Sequence, residues 1–430
     1  MKLDYQETVL DNKVRVLTAR MPQVFSAACG VWVGVGGRYE SRRQSGVSHF
    51  IEHLLFKGTA KRSARAISQA IEGRGGYFNA FTQEETTCYY ARIGAPHLAR
   101  TTDVLADMYR HPRLATADID RERGVIIEEI MMYRDQPHQL VQDHLGELLW
   151  PRHPLGRPLI GTPENIARMT RDEILDFKTR KYVGANTRVA FAGQVDHAAC
   201  VEAVARLLQD LPSGPAPRCR RVDTAALRPA PLHVQHKAIE QTHLAMGFRC
   251  FGRQDSRRFV AKLLSVLLGE NMSSRLFQVV REKHGLAYSV HSGAHLFAET
   301  GALVVSAGLE RARTGKALQL MVGEFERLAE KPVGAQELKR AKDYAIGQLQ
   351  IGLESTINQM MWIGENSLAF NRLIQPDTVM EMLQAVTADE IQALAQELFQ
   401  RDRLSTSIIS PNSTADQEKD IDRALSHLGG

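Results

Sequence analysis

Two hydrophobic periods divide the chain. Within residues 6–20 the apolar positions Val9, Leu10, Val14, Val16 and Leu17 partly alternate with polar ones, which predicts strands joined at Asp11-Asn12. Ala27 to Gly34 predicts a further strand, ended by Gly34-Val35-Gly36-Gly37. That glycine cluster lacks the last glycine of a dinucleotide fingerprint, so it reads as a strand-to-loop turn and not as a phosphate cradle. Phe50, Ile51, Leu54, Leu55 and Phe56 then predict a buried helix around His49. A short helix follows over Ala64 to Gly73. Tyr77 to Thr82 and Thr86 to Ile93 are rich in aromatic and β-branched residues and read as a pair of strands. Pro96 to Tyr109 is helical in pattern; the next helix, capped by Thr116, runs from about Ala117 to Asp135 and stops before Pro137. Helices over 138–149, 170–181 and 197–210, with a strand over 188–195, complete the first half.

The stretch Leu211 to Pro217, continued by Leu227 to Pro231, is the one convincing linker. It divides the chain into a domain over 1–212, a Pro-rich linker over 213–231 and a domain over 232–430. At 430 residues two domains are also what chain length favours. The second half repeats the first. Ala117 to Arg123 resembles Gln336 to Lys342 at an offset of 219, and Thr170 to Ile174 resembles Thr387 to Ile391 at an offset of 217. An α+β chain made of two homologous α/β domains is therefore expected.

Chemistry concentrates in His49-Phe50-Ile51-Glu52-His53. On a helix, His49 and His53 stand one turn apart on one face, where two neutral imidazoles can share a metal. Glu52 then sits beside the metal, placed to act as a general base. By itself the pattern also fits a solvated helix face, so a third ligand must come from elsewhere. The helix over 117–135 carries Glu122 and Glu129, seven residues apart and so on nearly one face. Gly124 to Ile127 and Ile130 to Met132 make the surroundings of Glu129 apolar, and a buried carboxylate there needs a cation. Glu129 is accordingly the expected third ligand, and Glu122 a carboxylate that orients the site. On the repeat register Glu122 faces Ala341 and Glu129 faces Gln348. The segment opposite the His49 helix, near Ser265 to Asn271, keeps Glu270 but has no His. The metal is thus expected in the first half alone.

Composition narrows the rest. A net charge of +5, with only the short cluster Arg218, Arg220 and Arg221, gives no support for nucleic-acid binding. No stretch of about 18 apolar residues predicts a membrane span. Five scattered cysteines without a Cys-x-x-Cys pair read as free thiols of a reducing cytosol, and the first residues have no presequence pattern, so a cytoplasmic protein is expected.

Together these motifs resemble the insulinase or pitrilysin family of zinc peptidases, in its short processing-peptidase-like branch. The resemblance covers nearly the whole chain. It rests on His49 to His53, on Arg121 to Ile130 with Glu129 about 76 residues after His53, on Asn79-Ala80-Phe81-Thr82, and on Arg281 to Tyr288. It implies two metallohydrolase-like α/β sandwich domains forming half of a clamshell chamber. One Zn²⁺ per chain would be held by His49, His53 and Glu129, with Glu122 supporting. Water activated by zinc and Glu52 would attack a peptide carbonyl. Asn79, Ala80, Phe81 and Thr82 match an edge strand that takes the substrate as an added strand. Arg281 and Tyr288 match a pair that contacts substrate from the C-terminal domain.

The family's long members carry four such domains, so a two-domain chain implies a dimer, here a homodimer, with a heterodimer of related chains as the alternative. In the related mitochondrial processing enzymes two acidic residues receive a substrate arginine. Gln139 and Asp143 stand at those positions, which leaves half of that site. The resemblance thus implies a zinc metalloendopeptidase acting on peptides or short unfolded segments. The alternatives are a non-catalytic core subunit and the catalytic subunit of a hetero-oligomeric processing enzyme.

Overall fold

The computed structural model describes residues 3–223 and 231–425, so most of the second part of the expected linker lies outside the described residues. The first half runs β1 (Asp4–Val9), β2 (Arg15–Arg20), β3 (Ser26–Val33), α1 (Val47–Leu55), α2 (Ala64–Ile71), β4 (Tyr77–Thr82), β5 (Thr87–Gly94), α3 (Leu98–Arg110), α4 (Thr116–Asp135), α5 (Pro137–Leu149), α6 (Pro163–Arg168), α7 (Arg171–Lys181), β6 (Thr187–Gly193) and α8 (His197–Leu207). The second runs β7 (Leu232–His236), β8 (Gln241–Phe251), α9 (Arg258–Gly269), β9 (Ala287–Leu296), β10 (Thr300–Glu310), α10 (Thr314–Glu330), α11 (Ala335–Gly352), α12 (Thr356–Phe370), α13 (Pro376–Ala385), α14 (Ala388–Leu398), β11 (Leu404–Ser410) and α15 (Thr414–Leu425).

Two sheets result, in the orders β1-β2-β6-β3-β5-β4 and β7-β11-β8-β10-β9. Apart from the extra β1 they have one topology. In each, one parallel pair (β2 with β6, β7 with β11) adjoins a run of antiparallel strands. The weak sequence repeat is therefore a duplicated fold. Its offsets recur in local structure: Thr170 and Thr387, 217 apart, each close a reciprocal capping box with the Glu three residues on, Glu173 and Glu390.

The chain forms two compact units that are not coextensive with its two halves. One comprises residues 1–131, 157–220 and 350–377; the other comprises 132–156, 221–349 and 378–430. Each half thus contributes one helix to the other's unit. In the first unit α12 covers one face of the sheet, where Met360 and Ile363 pack with Leu17, Ala28, Trp32 and Ala190. In the second, α5 covers the corresponding face, with Val141, Leu145 and Leu149 against Ala245, Ala302 and Ile409. Burying each such side chain contributes roughly 1.5–3 kcal/mol. The close seat of α12 requires Gly364: a Cβ there would lie 2.3 Å from Trp32 Nε1. The opposite faces carry α3 and α8 on the first sheet, and α9, α10 and α14 in the large core of the second.

Among the described residues no helix is long and apolar enough to cross a membrane. The five cysteines are free thiols, four of them buried.

Candidate active site

Helix α1 forms because its apolar residues follow one stripe. Val47, Phe50, Ile51, Leu54 and Leu55 are at most 1% exposed. His49, Glu52 and His53 fall on the remaining stripe and stay half-buried. The helix starts at Gly46, whose φ of 96° is a left-handed conformation that glycine adopts without strain. No neighbouring side chain caps it. The buried Glu40 carboxylate does so from six residues upstream, accepting from Gly46 N and Ser48 N, both at 2.8 Å. Burial pushes the Glu40 carboxyl up to about 7, against the pull of those amides and of Arg157.

The two imidazoles face each other with ring centroids 4.6 Å apart. The Glu129 carboxylate comes to them from α4: its Oε2 lies 3.5 Å from His53 Nε2 and 3.9 Å from His49 Nε2. Glu122, two helical turns earlier, reaches the far side of His53, with Oε2 3.2 Å from Nδ1. Its other oxygen accepts from Lys57 Nζ at 2.8 Å. A carboxylate at Nδ1 fixes the proton there and leaves the Nε2 lone pair facing Glu129, which is the arrangement of a ligating imidazole.

The burial expected of Glu129 belongs instead to Glu122. The buried stripe of α4 is Ile119, Glu122, Ile126 and Ile130, and Glu122 is 2% exposed, whereas the Glu129 side chain is 24% exposed. Val125, Met131 and Met132, read as burying Glu129, lie on the outer face. In α11 the equivalent stripe is Leu338, Ala341 and Ala345, so the counterpart of Glu122 is a buried alanine.

Burial, with His53 beside it, pushes His49 down to about 4 despite the Glu129 charge. His49 therefore offers a lone pair at neutral pH. Burial also opposes charge on His53, but the Glu129 and Glu122 carboxylates, one beside each ring nitrogen, outweigh this by favouring the doubly protonated ring and raise it. Ligand atoms of His49, His53 and Glu129 all lie within 4.8 Å of one another. His49 Nδ1 is buried without a hydrogen-bond partner, an uncommon state for a buried polar atom. Two imidazoles and one carboxylate form a donor set that suits a tetrahedral divalent metal. Glu122→Gln is expected to weaken metal binding about 10–100-fold. Competition with a chelator measures this, and an unchanged affinity would reduce Glu122 to a packing role.

Glu52 stands beside this cluster. Its Oε2 accepts from Thr82 Oγ1 at 2.6 Å, and among the described residues Oε1 has no hydrogen-bond partner. Burial raises its proton affinity, the Thr82 bond and His53 opposing. Thr82 belongs to β4, whose side chains alternate. Phe78 packs on Phe56 and Thr82 reaches Glu52 on one face, while Phe81 meets Trp32 edge-on at 5.6 Å on the other. Being last in the sheet, β4 has one edge free of strand pairing among the described residues. The Ala80 amide donates to Asn79 Oδ1 at 2.8 Å.

Arg281, Tyr288, Gln139 and Asp143 belong to the second unit. Arg281 lies in a wide helical turn, Phe277–Lys283, hydrogen-bonded with π-helical spacing. Its guanidinium sits 4.6 Å from the Phe277 ring centroid and 5.9 Å from that of Tyr288, so the expected pair is in contact. Tyr288, on β9, is 78% exposed. On α5, Gln139 is exposed, and burial with the nearby Glu147 pushes the Asp143 carboxyl up to about 6. Lys57 follows α1 directly, but Glu40 and the hydrogen bond from Thr82 to Glu52 have no local sequence signal, and only the tertiary structure brings them to α1.

The fold and this constellation place the protein in one class. The profile described as Insulinase (Peptidase family M16) matches residues 15–163, and that described as Peptidase M16 inactive domain matches residues 168–344. The chain belongs to the insulinase family. It is 37% identical over 411 residues to a Mycobacterium tuberculosis protein named "Uncharacterized zinc protease", covering 95% of this chain and 94% of that one. It is 33% identical over 405 residues to the Bacillus subtilis "Uncharacterized zinc protease YmxG", covering 93% and 97%. Its fold is shared with a crystal structure of a protease from Helicobacter pylori, at 21% identity and a TM-score of 0.87, over 96% of this chain and all of that one.

Proposed function

We propose that this chain is a zinc endopeptidase that hydrolyses peptides or short unfolded segments inside a closed chamber completed by a second copy. The observation that carries this is the meeting of His49, His53 and Glu129 on one point, with Glu52 beside them and held by the edge strand. The names of the relatives support zinc as the metal. His49, His53 and Glu129 would hold the ion, with Glu122 and Lys57 fixing His53. When bound, zinc supplies a Lewis acid that polarises both a peptide carbonyl and water.

This chain's residues do the rest. The substrate adds to the free edge of β4 along Asn79 to Thr82, using main-chain hydrogen bonds that do not read its sequence. Glu52 Oε1 takes a proton from the attacking water as oxygen bonds to the carbonyl carbon. It then delivers that proton to the amide nitrogen as the C–N bond breaks. The Thr82 bond to Oε2 keeps Oε1 turned to this task. Thr82→Val is expected to lower the turnover rate about 10-fold, the loss of one hydrogen bond to a charged group, with metal content unchanged; a wild-type rate would remove Thr82 from this role. Arg281 and Tyr288 are assigned to substrate contact, and Asp143 to recognition of a basic substrate residue. For Tyr288→Phe slower turnover with intact zinc is expected, and undiminished turnover would return Tyr288 to the surface.

The proposal is tested by incubating purified protein with a mixed peptide library and mapping the cuts by mass spectrometry. Internal cuts that disappear with chelator are expected. Release of terminal residues only, or no cleavage, would overturn the endopeptidase reading.

A further inference from the structure

Away from the α1 site, the first unit contains a cavity of about 120 Å³ between the end of α3 and α7. Since one water needs about 10–15 Å³ of such space, the cavity admits a molecule of several heavy atoms. Pro112, Leu114, Leu175 and Pro212 form an apolar part of its wall, and Lys178, Arg110 and Thr179 contribute to a polar part that is somewhat larger.

Lys178 is 7% exposed, rare for a lysine. Its ammonium lies 5.2 Å and 5.6 Å from the ring centroids of Tyr182 and Tyr109, which attract a cation only weakly. Among the described residues no hydrogen bond or ion pair involves that ammonium. Arg110, by contrast, is neutralised: Nε lies 3.1 Å from Asp210 Oδ1, and Nη2 donates to the Asp210 carbonyl at 2.7 Å. Lys178 is therefore the cationic group of this wall without a carboxylate partner, and it opens to the cavity, where an anion would favour its charged form. Burial, with Arg110 adding to it, pushes the Lys178 amine down to about 7, the response of a lysine lacking its anion. Leu114, on the cavity wall, has a φ of 47°. A non-glycine residue in this left-handed region stores strain of the kind found at ligand sites.

We propose that this cavity is a binding site for a small carboxylate with a short apolar tail, its carboxylate on Lys178 and its tail among Pro112, Leu114, Leu175 and Pro212. The four apolar side chains on one part of the wall suit an aliphatic tail, which inorganic phosphate lacks. A ligand held there ties α3 to α7.

The test is thermal melting of the full-length, metal-loaded protein with sodium butyrate, sodium phosphate or sodium chloride at matched ionic strength. Butyrate is expected to raise the melting temperature saturably, by about 2–4 °C at ten times its dissociation constant, with phosphate no better than chloride. Lys178→Met should abolish the butyrate shift while keeping peptidase activity. A carboxylate bound at the metal instead would shift the variant as much as the wild type, and that result overturns the proposal. So does an equal or larger phosphate effect, or no butyrate effect. Should Lys178→Met fail to fold, acylation of wild-type Lys178 by acetic anhydride, read by peptide mapping, decides. Butyrate should slow it several-fold and chloride should not; equal rates would overturn the site.

Discussion

Glu52→Gln is expected to lower peptide hydrolysis by about 10²–10⁴-fold, the range contributed by a positioned proton-transfer group, while leaving the metal in place. Both halves of this result follow from geometry. Glu52 is not among the three side chains whose ligand atoms converge, so its loss leaves His49, His53 and Glu129 intact. Its Oε2 is engaged by Thr82, and a glutamine can keep that hydrogen bond through its amide oxygen. What a glutamine lacks is an atom that can take a proton from water and return it to the leaving nitrogen. Rate and zinc content are read on the same preparation. A variant that cleaves at the wild-type rate would remove Glu52 from the mechanism, and one that loses metal would make it a ligand.

Glu129→Gln should behave in the opposite way. The only carboxylate among the converging side chains is that of Glu129, and an amide oxygen is a far weaker donor to a divalent cation. Metal content is expected to fall to a small fraction of the wild-type value, and cleavage with it. Excess zinc in the assay should recover activity in part. The fold should persist, because Glu129 is half-exposed and lies outside the buried stripe of α4. Unchanged zinc content by elemental analysis would strike Glu129 from the ligand set.

The parts of the fold and site that could be read from sequence are those carried by local spacing. His49, Glu52 and His53 fall on one face because a helix repeats every 3.6 residues, and α1 carries them so. The strands and helices of the first half follow hydrophobic period and end at residues such as Pro137. The duplication was legible at two places because a capping box and a helix start repeat in sequence.

Other features needed tertiary structure. Along α4 the apolar sequence neighbours of Glu129 point to its burial. Burial depends on which stripe faces the sheet, and that stripe contains Glu122. The interchange of α5 and α12 has no local signal either. Both helices present an apolar face, and where each lies is decided by the side chains it meets, with Gly364 against Trp32 in one case. Glu40 caps α1 from a separate turn, and Thr82 reaches Glu52 across 30 positions, beyond any motif.

We propose that a zinc-dependent hydrolytic site belongs to this chain itself. The direct measurement is zinc content and peptide cleavage on one purified preparation, before chelation, after it, and after zinc is restored. One zinc per chain, cleavage lost with the metal and recovered with it, is the predicted result. Cleavage that continues at full rate once the metal is gone would contradict it.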